Sequence, residues 1–172
     1  MEITIEITKY CPNNCDYCST NASLDGEHLS FEKIRDFLMT QLKIDRINIS
    51  GGEPLAHPDF YRILQLCYSY TDNVWVYTNA IKNIIYNTDI IKEINVHANV
   101  CLVPGREVYL PEKADKIHLL KLIPQGRAIG MNVGNFQVSG NLKGCNACAN
   151  CKHLLLQADE KIMDAPCKKE YN

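Results

Sequence analysis

The sequence predicts an α/β fold: a shortened, open partial (β/α) barrel with a small cysteine-rich hairpin appendage at the C-terminal end. Three observations predict it. Short strand-like runs recur along the chain, and helical spacing separates the first of them, which is the pattern of a parallel sheet with crossover helices. Only five such runs precede residue 124 in a chain of 172 residues, which has room for one core and little more. Seven of the nine cysteines fall in two groups, one behind the first strand and one near the C-terminal end.

Residues 2–8 alternate strictly, with Ile3, Ile5 and Ile7 against Glu2, Thr4, Glu6 and Thr8, as a half-buried strand does. Ser30 is placed to cap a helix over about 31–42, whose apolar face carries Phe31, Ile34, Leu38 and Leu42. A second strand carries Ile44, Ile47 and Ile49, with Asn48 and Ser50 on its other side. Pro58 in a first turn starts a second helix over roughly 58–70, with Phe60, Ile63, Leu64 and Cys67 on one face. The third strand is expected over 73–78, a short helical stretch around 81–86, the fourth strand over about 93–101 and the fifth over 116–123. Residues 126–144 hold five of the nine glycines and read as a linker or a cover. Residues 154–157 and 161–163 flank Ala158-Asp159-Glu160 and read as a hairpin. The domains expected are a reduced core over 1–128, a linker or lid over 129–144 and a four-cysteine appendage over 145–172.

Several strands carry a polar side: Glu6 and Thr8, Asn48 and Ser50, Asn95, His97 and Asn99, and His118. If the apolar sides face the helices, these polar sides line an open lumen suited to a polar ligand. Strands facing solvent along one side would alternate in the same way.

Hydrophobic residues make up 46% of the chain and charged residues 22%, with a net charge of −2 and a pI of about 6.2. This is globular composition without the basic field of a general nucleic-acid binder. No apolar run approaches a membrane span. The chain opens on a strand-like run with no basic-then-apolar leader, so a cytoplasmic location is expected. There, clustered cysteines point to metal or redox chemistry rather than disulfides. Cys67 and Cys101 stand alone and read as buried thiols.

The first cluster is Cys11-Pro12-Asn13-Asn14-Cys15-Asp16-Tyr17-Cys18, directly after the first strand. Three close thiolates suit a soft metal centre. A structural zinc or a fully protein-bound iron–sulfur cluster takes four ligands. Three therefore point to a cluster with one iron left open, or to half of a zinc site. Gly51-Gly52-Glu53-Pro54 follows the second strand, where glycines let backbone approach a ligand closely; a plain Gly-Gly turn explains the glycines but not the Glu-Pro. Tyr77-Thr78-Asn79 ends the third strand, and Leu122-Ile123-Pro124-Gln125-Gly126-Arg127-Ala128 ends the fifth.

In this order the four segments resemble the radical S-adenosylmethionine (SAM) superfamily, and within it the molybdenum-cofactor-building and peptide-modifying branches in shortened form. The resemblance implies that Cys11, Cys15 and Cys18 hold a [4Fe–4S] cluster whose fourth iron is chelated by SAM. It implies SAM contacts from Ser50, Gly51, Gly52, Glu53 and Pro54 at the amino group, and from Thr78 and Asn79 near the ribose and carboxylate. Tyr17, Ile123 and His97 would lie on the adenine side or make a further polar contact, although Tyr17 also reads as core and His97 as a partnered sheet histidine. Cys145, Cys148, Cys151 and Cys167 resemble the auxiliary-cluster ligands of the same branches, and a four-cysteine zinc site is the rival reading.

The chain departs from the family in two ways. Residues 80–115 are too few for the usual intervening strands and helices, so one strand–helix segment is missing. The glycine–isoleucine-type motif beside the adenine is not recognisable. The expected activity is reductive cleavage of SAM and hydrogen abstraction from a peptide or small cofactor-precursor substrate. A ferredoxin or flavodoxin would be the reductant, the host would be anaerobic or microaerobic, and a protein partner could complete the active-site wall. A compact activase or deazapurine-type synthase is an alternative within the family. A non-catalytic two-cluster electron carrier is the alternative outside it, and the 51–54 segment speaks against that one.

Overall fold

The computed structural model describes residues 1–79, 97–107, 115–121, 126–132 and 153–164. These fall into two units. The first takes residues 1–14, 20–79 and 153–164, and the second takes 15–19, 97–107, 115–121 and 126–132.

The first unit runs β1 (Glu2–Glu6), α1 (Phe31–Met39), β2 (Arg46–Ser50), α2 (Phe60–Tyr68) and β3 (Val74–Val76). These are two successive strand–helix–strand crossovers, and they give parallel pairs β1–β2 and β2–β3. The period-2 pattern explains the register. Ile3 lies opposite Ile47 and Ile5 opposite Ile49, and all four are fully buried. Trimming one such isoleucine to alanine costs about 2–5 kcal/mol.

Ser30 caps α1 as expected, its side chain accepting from the Lys33 N–H at 3.3 Å, and Ile34, Phe37 and Leu38 form the buried face. The helix stops three residues short of the expected 42. Thr40 turns its hydroxyl back onto the Phe37 carbonyl at 2.7 Å, and Leu42 is left fully exposed. The second helix begins at Phe60 rather than in a turn led by Pro58. Asp59 is its N-cap and makes no side-chain capping bond, while the Asp59 N–H itself donates to the His57 imidazole Nδ1 at 3.0 Å. Phe60, Ile63, Leu64 and Cys67 are buried, as their spacing predicts. A short 3₁₀ turn, Pro54–Ala56, was not legible in the pattern.

The C-terminal hairpin forms, with β6 (His153–Leu156) antiparallel to β7 (Ile162–Asp164) and Glu160 at φ 66° in the turn. It does not stand apart. β6 pairs in parallel with the free edge of β1, which makes one five-stranded sheet of order β3-β2-β1-β6-β7, labelled by sequence order. Covering that edge satisfies a row of backbone donors and acceptors.

On its polar side this sheet is tied together by side chains. Asn48 is buried and donates to Glu2 at 2.7 Å and to the Thr4 hydroxyl at 3.2 Å; Thr4 in turn bonds His153 Nε2 at 2.7 Å. Glu2 also pairs with Arg46, whose guanidinium lies 5.6 Å from the Trp75 ring centroid. The polar side of β1 and β2 is therefore a hydrogen-bonded layer of side chains. β1 also ends earlier than expected, because Thr8 leaves the ladder for an isolated bridge to His28.

The second unit holds the parallel pair β4 (His97–Leu102) and β5 (Lys116–Lys121), in register from His97 opposite Lys116. A 3₁₀ turn, Gly126–Ala128, follows. Val103 and Ala128 are buried together, with Tyr17 and Met131 packed on them. The helical stretch at 81–86, residues 133–144 of the glycine-rich segment, Ile123 and Cys145, Cys148, Cys151 and Cys167 lie outside the described residues. Among the described residues no helix is long and apolar enough to cross a membrane.

Candidate functional site

In the first unit the chain leaves β1 towards Cys11, and its path is set by backbone bonds. Lys9 N–H donates to Glu27 O at 2.8 Å and Cys11 N–H to Ser23 O at 2.9 Å. Cys11 is buried, and the Asn79 side-chain amide donates to its sulfur at 3.8 Å. A donor on a ligand sulfur stabilises added negative charge there.

The 51–54 segment runs beside this exit. Gly52 N–H donates to Thr8 O at 2.7 Å and Glu53 N–H to Tyr10 O at 2.9 Å. Gly51 has φ +133°, and a Cβ there would lie 2.3 Å from the Thr8 carbonyl oxygen, so only glycine fits. Ser50 holds the strand end through its carbonyl, which accepts the Ile7 N–H at 3.0 Å. Pro54 is buried and opens the 3₁₀ turn.

Glu53 is 1% exposed, and its carboxylate gathers three donors. Oε1 accepts from Leu55 N–H at 3.0 Å and from the Thr78 hydroxyl at 2.7 Å, and Oε2 accepts from Asn79 N–H at 2.9 Å. The carboxylate thus joins the ends of β2 and β3 and keeps about one lone-pair direction for another donor. Cys11, Glu53 and Asn79 all sit past the carboxyl ends of parallel strands, where α/β sheets place their chemistry.

Beneath this lies a group that the sequence did not single out. The Thr8 hydroxyl accepts the Tyr10 N–H at 2.9 Å and meets His28 Nδ1 at 2.8 Å. The His28 ring stands edge-on to His57 at 4.9 Å between centroids. His57 Nδ1 accepts from Asp59, so its Nε2–H is the donor to Leu29 O at 2.9 Å, and the ring is neutral. Burial pushes its pKa down.

In the second unit Cys15 and Cys18 are half-buried and close a turn, with Cys18 N–H on Cys15 O at 3.2 Å. Arg127 donates from Nε to Cys15 O at 2.7 Å and from its backbone N–H to Cys18 O at 2.9 Å. Gly126 adopts φ +56°, and a Cβ there would strike the Cys18 and Ser19 carbonyls at 2.6 Å. Arg106 pairs with Asp16 and lies 4.9 Å from the Tyr17 ring centroid. Tyr17 packs in the Val103–Ala128 cluster, the core role that its aromatic character allows. Arg127 stood in a recognised segment without a role; its contact is invisible in sequence because 112 residues separate it from Cys15. His97 opens β4 opposite Lys116.

Cys11, Cys15 and Cys18 are free thiols, and one sulfur receives an amide donor, which is donor chemistry that fits an iron–sulfur cluster. Among the described residues no three His, Cys, Asp or Glu side chains are grouped as a single metal ion requires. A four-iron cluster has no such requirement, since each thiolate takes its own iron. Cys67 is a core thiol, which burial pushes up to about 12.

Fold and residues together define an α/β enzyme with a cysteine loop at the carboxyl end of its first strand. The chain belongs to the radical SAM superfamily, whose family model matches residues 5–118. That membership implies a [4Fe–4S] cluster and SAM. Over 92 residues it is 29% identical to a PqqA peptide cyclase of Bradyrhizobium diazoefficiens, covering 51% of this chain and 23% of the relative. Over 81 residues it is 31% identical to a probable GTP 3',8-cyclase of Pyrococcus abyssi, covering 45% and 26%. Over 83 residues it is 28% identical to a mycofactocin maturase of Mycobacterium tuberculosis, covering 46% and 21%. The matches thus span about a quarter of the length of these relatives.

Proposed function

We propose that this chain carries the catalytic core of a radical SAM enzyme that abstracts hydrogen from a peptide or a small cofactor precursor. The observation that carries the reading is the meeting of three motifs in one unit: Asn79 donates to Cys11 through its side chain and to Glu53 through its backbone.

Cys11, Cys15 and Cys18 hold the [4Fe–4S] cluster in this reading. The bound cluster and SAM supply reductive cleavage of the sulfonium to methionine and a 5′-deoxyadenosyl radical. The chain's residues do the placing. Ser50, Gly51, Gly52, Glu53 and Pro54 present backbone and one carboxylate to the SAM amino group. Thr78 and Asn79 would lie near the ribose and carboxylate, Tyr17 and Ile123 near the adenine, and His97 would make a further polar contact to SAM. Residues 129–144 serve as a cover that excludes water.

Cys145, Cys148, Cys151 and Cys167 form a second site, a [4Fe–4S] cluster ahead of zinc. The reductant is a ferredoxin or flavodoxin, and a partner protein completes the active-site wall. Two relatives' names, a peptide cyclase and a GTP cyclase, frame the substrate classes to be tried.

The test is anaerobic reconstitution with iron and sulfide, then SAM and dithionite. 5′-Deoxyadenosine, with about four irons lost in a Cys15→Ala variant, is the expected result. About eight irons per chain places a second cluster at the C-terminal cysteines, whereas about four shifts them to zinc. No product, and no change in the cluster's EPR signal on adding SAM, overturns the reading.

A further inference from the structure

We propose that Arg127 is a positioning residue for the iron–sulfur cluster: it clamps the Cys15–Ser19 segment by two carbonyl oxygens and raises the reduction potential of the bound cluster. The inference rests on the functional reading above, because it assigns a role towards the cluster that Cys15 and Cys18 help to hold.

The geometry is two-pronged. Arg127 Nε donates to Cys15 O at 2.7 Å, and its own backbone N–H donates to Cys18 O at 2.9 Å. The first is a charge-assisted bond, about twice as strong as a neutral one. Its acceptor already receives the Cys18 N–H at 3.2 Å, so guanidinium and turn share one oxygen. Gly126 makes the approach possible, since a Cβ there would lie 2.6 Å from the Cys18 carbonyl oxygen that the Arg127 N–H meets. The planar fork of arginine fixes direction as well as charge, and lysine fixes only charge.

A ligand loop between two cysteines must hold both sulfurs in place while the cluster changes charge. Anchoring the two cysteine carbonyls fixes the peptide planes that carry those side chains. The guanidinium also brings a positive charge next to the ligand residues. Reduction adds an electron, so a nearby cation favours the reduced form and raises the potential. Arg106 plays a different part: it lies over the Tyr17 ring and pairs with Asp16.

Two variants separate the clamp from the charge. Arg127→Gln removes the charge and the guanidinium bond to Cys15 O while the backbone bond to Cys18 O stays, and Arg127→Lys keeps the charge without the fork. In the metal-free protein, amide hydrogen exchange at Cys18 is expected to run about tenfold faster in both variants than in wild type. In the reconstituted protein, EPR-monitored redox titration is expected to give a lower midpoint for Arg127→Gln and a near-wild-type midpoint for Arg127→Lys. A control in which Arg106→Gln is combined with Asp16→Asn removes their ion pair with no change in net charge and should leave the midpoint in place.

Unchanged Cys18 exchange in Arg127→Gln overturns the clamp whether or not a cluster binds. Equal midpoints in all four proteins overturn the electrostatic role. Loss of protection across β4 and β5 in both Arg127 variants makes the residue a folding determinant and overturns positioning. A wild-type protein that takes up no four-iron cluster overturns the functional reading, and the redox half of this inference with it. Exchange in the metal-free protein then still decides the clamp.

Discussion

The Glu53 carboxylate accepts the backbone N–H of Asn79 at 2.9 Å, across 26 residues of sequence, and so locks the end of β2 to the end of β3. The same carboxylate takes the Thr78 hydroxyl at 2.7 Å and the Leu55 N–H at 3.0 Å. Glu53 thus gathers Leu55, Thr78 and Asn79 onto one carboxylate.

Replacing Glu53 by alanine strands three donors in a place the carboxylate occupies at 1% exposure. Loss of about 3 kcal/mol is expected, since each buried group left unpaired costs about 1–3 kcal/mol and water recovers part of it. Urea denaturation measures the loss. Glu53→Gln keeps acceptor capacity and should lose less, while SAM binding by calorimetry should weaken in both.

Gly51→Ala forces a Cβ to 2.3 Å from the Thr8 carbonyl at φ +133°. A destabilisation of about 3 kcal/mol or more is expected from strain and displaced backbone. The Thr8 carbonyl also receives Gly52 N–H, so thermal melting should fall together with iron uptake. A variant with wild-type melting would show that the segment moves freely.

Cys67 should be inert. Burial pushes its thiol up to about 12, so in the folded protein at pH 8 iodoacetamide should leave it unmodified while Cys15 and Cys18 react in the metal-free form. Cys67→Ala should cost about 1–2 kcal/mol as a small core cavity and leave iron content unchanged. Mass spectrometry of the alkylated peptides and an iron assay check both.

Stability should decline on mild acidification. Burial pushes His57 and His153 below their ordinary value of 6.5, so the unfolded chain takes up protons at a higher pH than the folded one. The unfolded state then binds more protons as pH falls below 6.5, and stability is lost from there down to the folded-state values, with none lost above. Urea midpoints at pH 7.5 and 5.5 measure the effect. His57→Asn keeps an acceptor for Asp59 N–H and should flatten the slope.

Much of this chain is written in local patterns. The alternation at Ile3, Ile5 and Ile7 and the spacing of Phe60, Ile63, Leu64 and Cys67 each correspond to a buried face. Ser30 was legible as a cap because capping needs only a neighbour three residues away. The cysteine loop and the 51–54 segment stand out in the sequence because each groups particular residue types at close spacing, and both lie within the residues that the family model matches. Leu42 was misplaced because a helical period says where a face lies, not where the Thr40 hydroxyl ends it.

Local pattern therefore accounts for most of the described strands and helices and for their buried faces. Long-range contacts alone show that β6 pairs with the edge of β1, that His57 Nε2 donates to Leu29 O, that Glu53 joins two strand ends, and that Arg127 bonds Cys15 from 112 residues away. Range makes the difference. Propensity and periodicity act over a turn or a strand, whereas strand neighbours and side-chain acceptors are chosen by which unpaired donors the folded chain brings together.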